Sequence, residues 1–319
     1  MKLLNQIATA GLLSLTALSA WSQTYPDKPV KVVVTTVPGP LDAFARAVLE
    51  QMQRRLKQPF VVENKAGAGG NLGADIVAKS PADGYTLLFA LDTTFTVNPT
   101  LYKKMPFDVT KDFVPIAVPV TYSQALAVNP NLKVASVADF VKLAKDKHLT
   151  YASGGNGSPS HLTMAAFMAT AGLDMTHVPY KGTGASVIDV MAGQVDSVFA
   201  VGSGILPQAK AGKLRALAVS GDKRSGAAPE LPTIAESGFP SFNASFAYAL
   251  LAPAGTPEPI VKLLAREVEL AMNTPEVKEL NRQADYTATG LTQPQSAAWL
   301  ADARHRWAEV IRKSNITAD

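Results

Sequence analysis

A chain of 319 residues, 47% of them hydrophobic, is long enough for two medium domains and too apolar to be disordered. Lys and Arg number 30 against 26 Asp and Glu, and this dispersed surplus of +4 suits a small anionic ligand but is too weak for a nucleic-acid surface. The absence of cysteine excludes disulfides, thiolate metal sites and lipid-anchoring thiols.

Residues 1–22 have the form of a secretory signal peptide. Lys2 supplies the positive start, 7–18 an apolar core too short to cross a bilayer, and Ala20-Trp21-Ser22 a small-x-small cleavage site. Cleavage there leaves a mature chain from Gln23, exported to a periplasm. The alternative, an uncleaved anchor, is disfavoured by the short apolar core.

A nearly continuous β-branched run over 30–35 predicts a strand buried on both faces. Val37, Pro38, Gly39, Pro40, Leu41 and Asp42 then turn sharply into a helix, with Leu41, Phe44, Val48, Leu49 and Met52 on one face. A short strand over 60–63 leads to a glycine patch at 67–73 and a short helix ending near Lys79. Gly67, Gly69 and Gly73 form G-x-G-x-x-x-G, one residue off the dinucleotide fingerprint, so the patch reads as a tight turn rather than a cofactor loop. The strand over 85–91 ends at Thr93 and Thr94, on the side where open α/β sheets place ligands. Ordinary turn chemistry explains these threonines equally well. The stretch 98–112 reads as loop, 116–120 and 125–128 as strands, and 137–146 as a helix.

The richest stretch is Tyr151-Ala-Ser-Gly-Gly-Asn-Gly-Ser158-Pro-Ser-His161-Leu162. A strand over 149–152 feeds a glycine-rich turn that opens a helix, with Ser158 as N-cap and Pro159 in the first turn. Ser153, Gly154, Gly155, Asn156, Gly157, Ser158 and His161 would surround a helix N-terminus, whose free N–H groups and dipole favour an anion. The same residues also make a well-capped strand–helix connection with no ligand at all. His161 either donates to a ligand or bonds the local backbone, and Lys181 and Arg46 are the nearest cations to the turn motifs. Beyond this point strands are predicted over 195–201, 214–219 and 246–251, and helices over 185–192 and 207–212. Further helices start at Thr256-Pro257 and Thr274-Pro275, and a last one carries Trp299, Ala303, Trp307 and Ile311. The alternation of strands and helices predicts an α/β protein with mainly parallel sheets.

Reacting groups are missing. The four histidines are scattered without metal-ligand spacing, and neither a G-x-S-x-G elbow nor a phosphate-binding G-x-x-x-x-G-K-[ST] loop occurs. Anion cradles without a nucleophile favour binding over catalysis, with no cofactor and no metal expected.

The chain resembles the periplasmic substrate-binding receptors of tripartite tricarboxylate transporters, the Bug-type receptors, over essentially its whole mature length. The marks are Val62-Glu-Asn-Lys-Ala-Gly-Ala-Gly-Gly70, Pro81-Ala-Asp-Gly-Tyr-Thr-Leu-Leu88, Asn98-Pro-x-Leu-Tyr102, the 151–162 stretch, His177-Val-Pro-Tyr-Lys-Gly182, Gly212-Lys-Leu-Arg-Ala-Leu-Ala218 and Ala252-Pro-Ala-Gly-Thr-Pro257. The resemblance implies a two-domain periplasmic-binding-protein fold of type II, a Venus flytrap with a ligand cleft between lobes. Lobe 1 would comprise 23–124 and 246–319, and lobe 2 would comprise 125–245. It implies a non-catalytic, monomeric receptor that binds an aliphatic or aromatic di- or tricarboxylate and delivers it to a membrane permease. Loops 37–42 and 153–158 would grip the ligand, and Thr93, Thr94, His161, Tyr180 and Phe199 would line the cleft. Two alternatives stand beside it: an exported α/β enzyme acting on a carboxylate or phosphate ester with His161 as base, and a ligand-sensing subunit of a signalling system.

One departure from the family pattern matters. Pro38-Gly39-Pro40-Leu41-Asp42 is one residue shorter than the usual Pro-Gly-Gly-x-x-Asp, and Thr35-Thr36 replaces the usual Pro-Phe. Pro40 also removes a backbone donor, so this loop is expected to grip its carboxylate less or to admit a bulkier ligand.

Overall fold

The computed structural model describes residues 25–317, so the signal-peptide reading of 1–22 lies outside the described residues. The chain begins with β1 (Val30–Val34), α1 (Pro40–Leu56), β2 (Phe60–Asn64), α2 (Asn71–Ala78), β3 (Thr86–Leu91), α3 (Thr93–Thr96), α4 (Asn98–Leu101) and β4 (Phe113–Tyr122). It continues with β5 (Gln124–Val128), α5 (Val137–Asp146), β6 (Thr150–Ser153), α6 (Pro159–Ala171), β7 (Thr176–Pro179), α7 (Thr183–Met191), β8 (Ser197–Val201), α8 (Gly202–Lys210) and β9 (Arg215–Val219). It ends with β10 (Phe246–Pro253), α9 (Glu258–Met272), α10 (Pro275–Ala284), β11 (Tyr286–Ala288) and α11 (Gln293–Lys313).

These strands make two sheets, ordered β11-β4-β10-β3-β1-β2 and β7-β6-β8-β5-β9. Helices cover both faces of each, which is why β1 is apolar at nearly every position. Val30, Val32 and Val34 enter one core cluster and Val33 another on the opposite face. The first cluster also reaches Phe140, Phe167 and Phe199 under the second sheet, so one apolar core runs through both lobes.

The sheets are mixed rather than mainly parallel. β1 pairs in parallel with β2 and β3, and β6 with β7 and β8. β10, however, runs antiparallel to β3 and β4, and β5 runs antiparallel to β8 and β9. The reason is topological. β5 and β10 are the strands that bring the chain in from the other lobe, so each enters its sheet from the end opposite to its neighbours.

Those crossings lie together. Only Ser123 separates β4 from β5. On the return, buried Ser220 accepts at its hydroxyl from the Gln124 N–H at 2.9 Å and donates to the Ala244 carbonyl at 2.6 Å. Its own backbone pairs with the same two residues, Ser220 N–H to Gln124 O and Ala244 N–H to Ser220 O, each at 2.8 Å.

Local chemistry explains the helix starts. In α5, the Ser136 hydroxyl caps the Asp139 N–H at 3.1 Å, and the Asp139 carboxylate accepts from Ala135 N–H at 3.1 Å. Ser136→Ala is expected to cost about 1 kcal/mol, read as a lower urea midpoint with an unchanged slope. In α11, Thr292 and Gln295 form a reciprocal capping box.

Candidate functional site

A cavity of about 660 Å³ opens between the lobes, at the carboxyl ends of β1, β2, β3, β6 and β7. The first-lobe wall comes from Thr35, Thr36 and Val37 after β1, from the glycine loop Ala66, Gly67, Ala68, Gly69 and Gly70 after β2, and from Thr93, Asn98, Leu101 and Tyr102 after β3. Gly154, Asn156, Gly157, Ser158 and Pro159 after β6 and Lys181 and Gly182 after β7 face them. Lys181 is the one charged residue on this wall among the described residues.

The β6–α6 loop takes the form its sequence predicts. Ser158 is extended and caps α6, its hydroxyl accepting from His161 N–H at 3.4 Å. Three of the loop's N–H groups are spent internally: Gly154 on Ser160 Oγ at 2.9 Å, Gly155 on Ser153 Oγ at 3.1 Å, and Gly157 on His161 Nδ1 at 3.1 Å. These bonds hold the loop in shape and remove those donors from ligand binding. Gly157 needs its missing side chain. Its φ is +70°, and a Cβ there would stand 2.2 Å from Leu101 Cδ2 of the opposite lobe.

His161 supports the loop from below. It is buried, its ring stacked on His177 with centroids 4.0 Å apart, and His177 stacks in turn on Tyr151 at 4.8 Å. His177 Nε2 lies 2.6 Å from Ser153 Oγ. Burial, and then the neighbouring His177, push the His161 imidazole down to about 4, and burial lowers His177 as well. A neutral ring accepting at Nδ1 carries its proton on Nε2. Of the two roles open to His161 in the sequence, the structure displays the bond to the local backbone.

The first loop departs further from a cradle. Gly39 is extended and only Val37 of residues 37–42 reaches the cavity wall. Asp42 sits in the first turn of α1, its carboxylate accepting from Arg46 Nε and Asn64 Nδ2, both at 2.9 Å. The Arg46 bond holds this carboxyl below its usual range. An internal anion therefore already occupies the start of α1.

The structure separates the remaining expected residues. Thr93 lines the cavity, while Thr94 is fully buried and donates to the Gly69 carbonyl at 3.2 Å. Tyr180 is half-buried, and its hydroxyl donates to Asp189 at 2.6 Å, which raises its pKa to about 12. Phe199, expected on the cleft wall, is instead fully buried beside Phe167, because β8 is the central strand of its sheet and covered on both faces.

Sequence reasoning also passed over part of the wall. The glycine patch is indeed a tight turn, with Gly70 N–H bonded to Gly67 O at 2.9 Å, yet it also lines the cavity. Asn98 anchors it, donating to Gly69 O at 2.9 Å and Asn71 Oδ1 at 2.7 Å. The run Gly67-Ala68-Gly69-Gly70 was the signal for a loop pressed against a guest or another segment, and all four residues take positive φ. Among the described residues no group of acidic and histidine side chains could hold a metal ion, and no helix is long and apolar enough to cross a membrane.

The model of the tripartite tricarboxylate transporter family receptor matches residues 44–316. Protein BugT of Bordetella pertussis is 36% identical over 312 residues, 97% of this chain and 94% of that protein. The solved structure of R. palustris Rpa4515 with adipate is similar with a TM-score of 0.84 at 31% identity, covering 92% of this chain and 99% of that one. MatC of Rhodopseudomonas palustris with bound malate is similar with a TM-score of 0.80 at 29% identity, covering 90% and 100%.

Proposed function

Because this chain belongs to the tripartite tricarboxylate transporter receptor family, we propose that it captures a small carboxylate between its two lobes in the periplasm and delivers it to the membrane permease of such a transporter. In this reading 1–22 is a signal peptide removed on export, 23–124 with 246–319 form one lobe, 125–245 form the other, and the receptor works as a monomer. The observation that carries the proposal is the cavity between the lobes, whose wall holds one cation, hydroxyls and helix starts but no histidine or carboxylate. Adipate in one similar structure and malate in another support a carboxylate as the ligand class. His161 belongs to the supporting stack rather than the cavity wall, which weighs against a general base there.

The carboxylate would sit against the start of α6, near Asn156 and Ser158, with Lys181 as counter-charge. Val37 and Thr93 would close over it from the first lobe.

Thermal unfolding against succinate, adipate, citrate, glutamate, nicotinate, benzoate and terephthalate, with the matching amides, tests the reading. A fitting acid at about 100 times its dissociation constant is expected to add roughly 2.7 kcal/mol to stability, visible as a raised midpoint. Equal shifts for an acid and its fully neutral amide would sink the carboxylate assignment, and turnover of any of them would sink the receptor.

A further inference from the structure

The two lobes offer a ligand unequal electrostatics. On the second lobe, Lys181 has no ion-pair or hydrogen-bond partner among the described residues. It is exposed, with the N-cap Gly182 between it and α7, and the start of α6 lies on the same wall. At α6, Pro159 has no N–H and the Ser158 hydroxyl already takes the His161 N–H, so an anionic group on this wall falls to the ammonium and the start of α7.

The first lobe has no equivalent. Its wall carries no charge. The first N–H groups at α2 are taken up by the glycine turn: Gly70 N–H bonds Gly67 O at 2.9 Å, Leu72 N–H bonds Gly67 O at 3.4 Å, and Asn71 N–H bonds Ala68 O. At α1, Pro40 has no N–H and the Asp42 carboxylate already occupies the first turn. What the first lobe does offer is a pair of hydroxyls, Thr35 Oγ1 and Thr36 Oγ1, both buried in the wall without a hydrogen-bond partner. Thr35 is only 3% exposed. Unsatisfied buried hydroxyls call for a polar guest, and each can both donate and accept. A second carboxylate brought here would lose its water and gain no counter-charge.

We propose that the cleft selects a singly charged acid, its carboxylate held by Lys181 on the second lobe and a neutral hydrogen-bonding group at its other end held by Thr35 and Thr36 on the first. The inference rests on the carboxylate-receptor reading above and narrows it. An amide, with one donor face and one acceptor, matches the two hydroxyls.

Calorimetric titration of the exported protein with matched sets tests both levels: succinic, adipic and terephthalic acids, their monoamides, and their diamides. The expected result is a monoamide that binds at least about tenfold tighter than its own diacid and its own diamide. A diacid that binds tighter than its monoamide overturns the proposal and leaves the receptor reading standing. If no compound carrying a carboxylate binds, the receptor reading falls and takes the proposal with it. Lys181→Gln is expected to weaken the monoamide about tenfold, the scale of one charge-assisted hydrogen bond, with an unchanged thermal midpoint in the absence of ligand. Thr35→Val is expected to bring monoamide and diacid closer in affinity. Unchanged monoamide affinity in both variants overturns the assignment of these residues.

Discussion

Gly157→Val is expected to weaken carboxylate binding roughly fiftyfold, a change that overpacking of 1–3 kcal/mol would produce. The glycine has φ +70°, and its missing Cβ would lie 2.2 Å from Leu101 Cδ2. Two costs follow, and they act differently. The left-handed backbone disfavours a branched side chain in every conformation of the receptor, lowering stability. The collision with Leu101 acts only where the lobes meet, in the arrangement that encloses the cavity. Leu101→Ala in the same chain removes the collision and keeps the backbone strain. Titration of both variants with the tightest acid separates the costs: the double variant should regain most of the lost affinity but not the lost stability. Wild-type affinity in Gly157→Val would mean that the ligand is held without the lobes meeting at Leu101.

Acidification should loosen the second lobe through its histidine stack. His161 is held down to about 4, chiefly by burial and then by His177. Its ordinary value near 6.5 applies to the unfolded chain. The unfolded state therefore takes up the proton first as pH falls. The neutral stack contributes fully above about pH 6.5, and that contribution is lost progressively down to about pH 4, a total of about 3 kcal/mol by linkage. His177 is lowered too and acts in the same direction. The groups around the ring pair are Tyr151, Ser153 and the Gly157 N–H, none of which supplies a compensating negative charge. A proton on Nδ1 would also face the Gly157 N–H donor and push the β6–α6 loop from its shape. Urea unfolding at pH 7 and pH 4.5 measures the loss, and His161→Gln should shrink it while other acid-labile contacts continue to act. An equal loss in both proteins would assign the pH dependence elsewhere.

The buried strands were legible because their burial is nearly complete: four valines in β1 and the apolar run after Thr86 in β3 leave little room for another reading. The start of α6 was legible for a similar reason, since Ser158, Pro159 and the glycines before them each do a job that few residues can do. Strand direction was not. Nothing in the side chains of β10 records that it arrives from the other lobe, and direction is set by connectivity. Short elements were missed where tertiary contacts make them. α4 lies in a stretch that reads as loop, α3 follows β3 where the threonines read as strand end or turn, and β11 has three residues, of which only Tyr286 is buried. Its hydroxyl meets that of Tyr248 at 2.9 Å, a partner 38 residues away. At the site, identity of residue type was a fair guide to small polar walls and a poor one to aromatics. Phe199 is as hydrophobic as a ligand platform needs to be, but so is any core phenylalanine.

The Ser123 junction limits what the receptor can say to its surroundings. One residue between β4 and β5 contributes two rotatable torsions, and the Ser220 hydroxyl ties the return path to the same point. Gly221 lies against Ser123, where an added Cβ would come within 3.0 Å of the serine Cβ, so the pivot is also crowded. So short and tied a junction opposes sliding and free twisting more than it opposes bending. A membrane partner reading this protein from outside would then receive mainly an angle as its message, whatever the chemistry of the guest that set it.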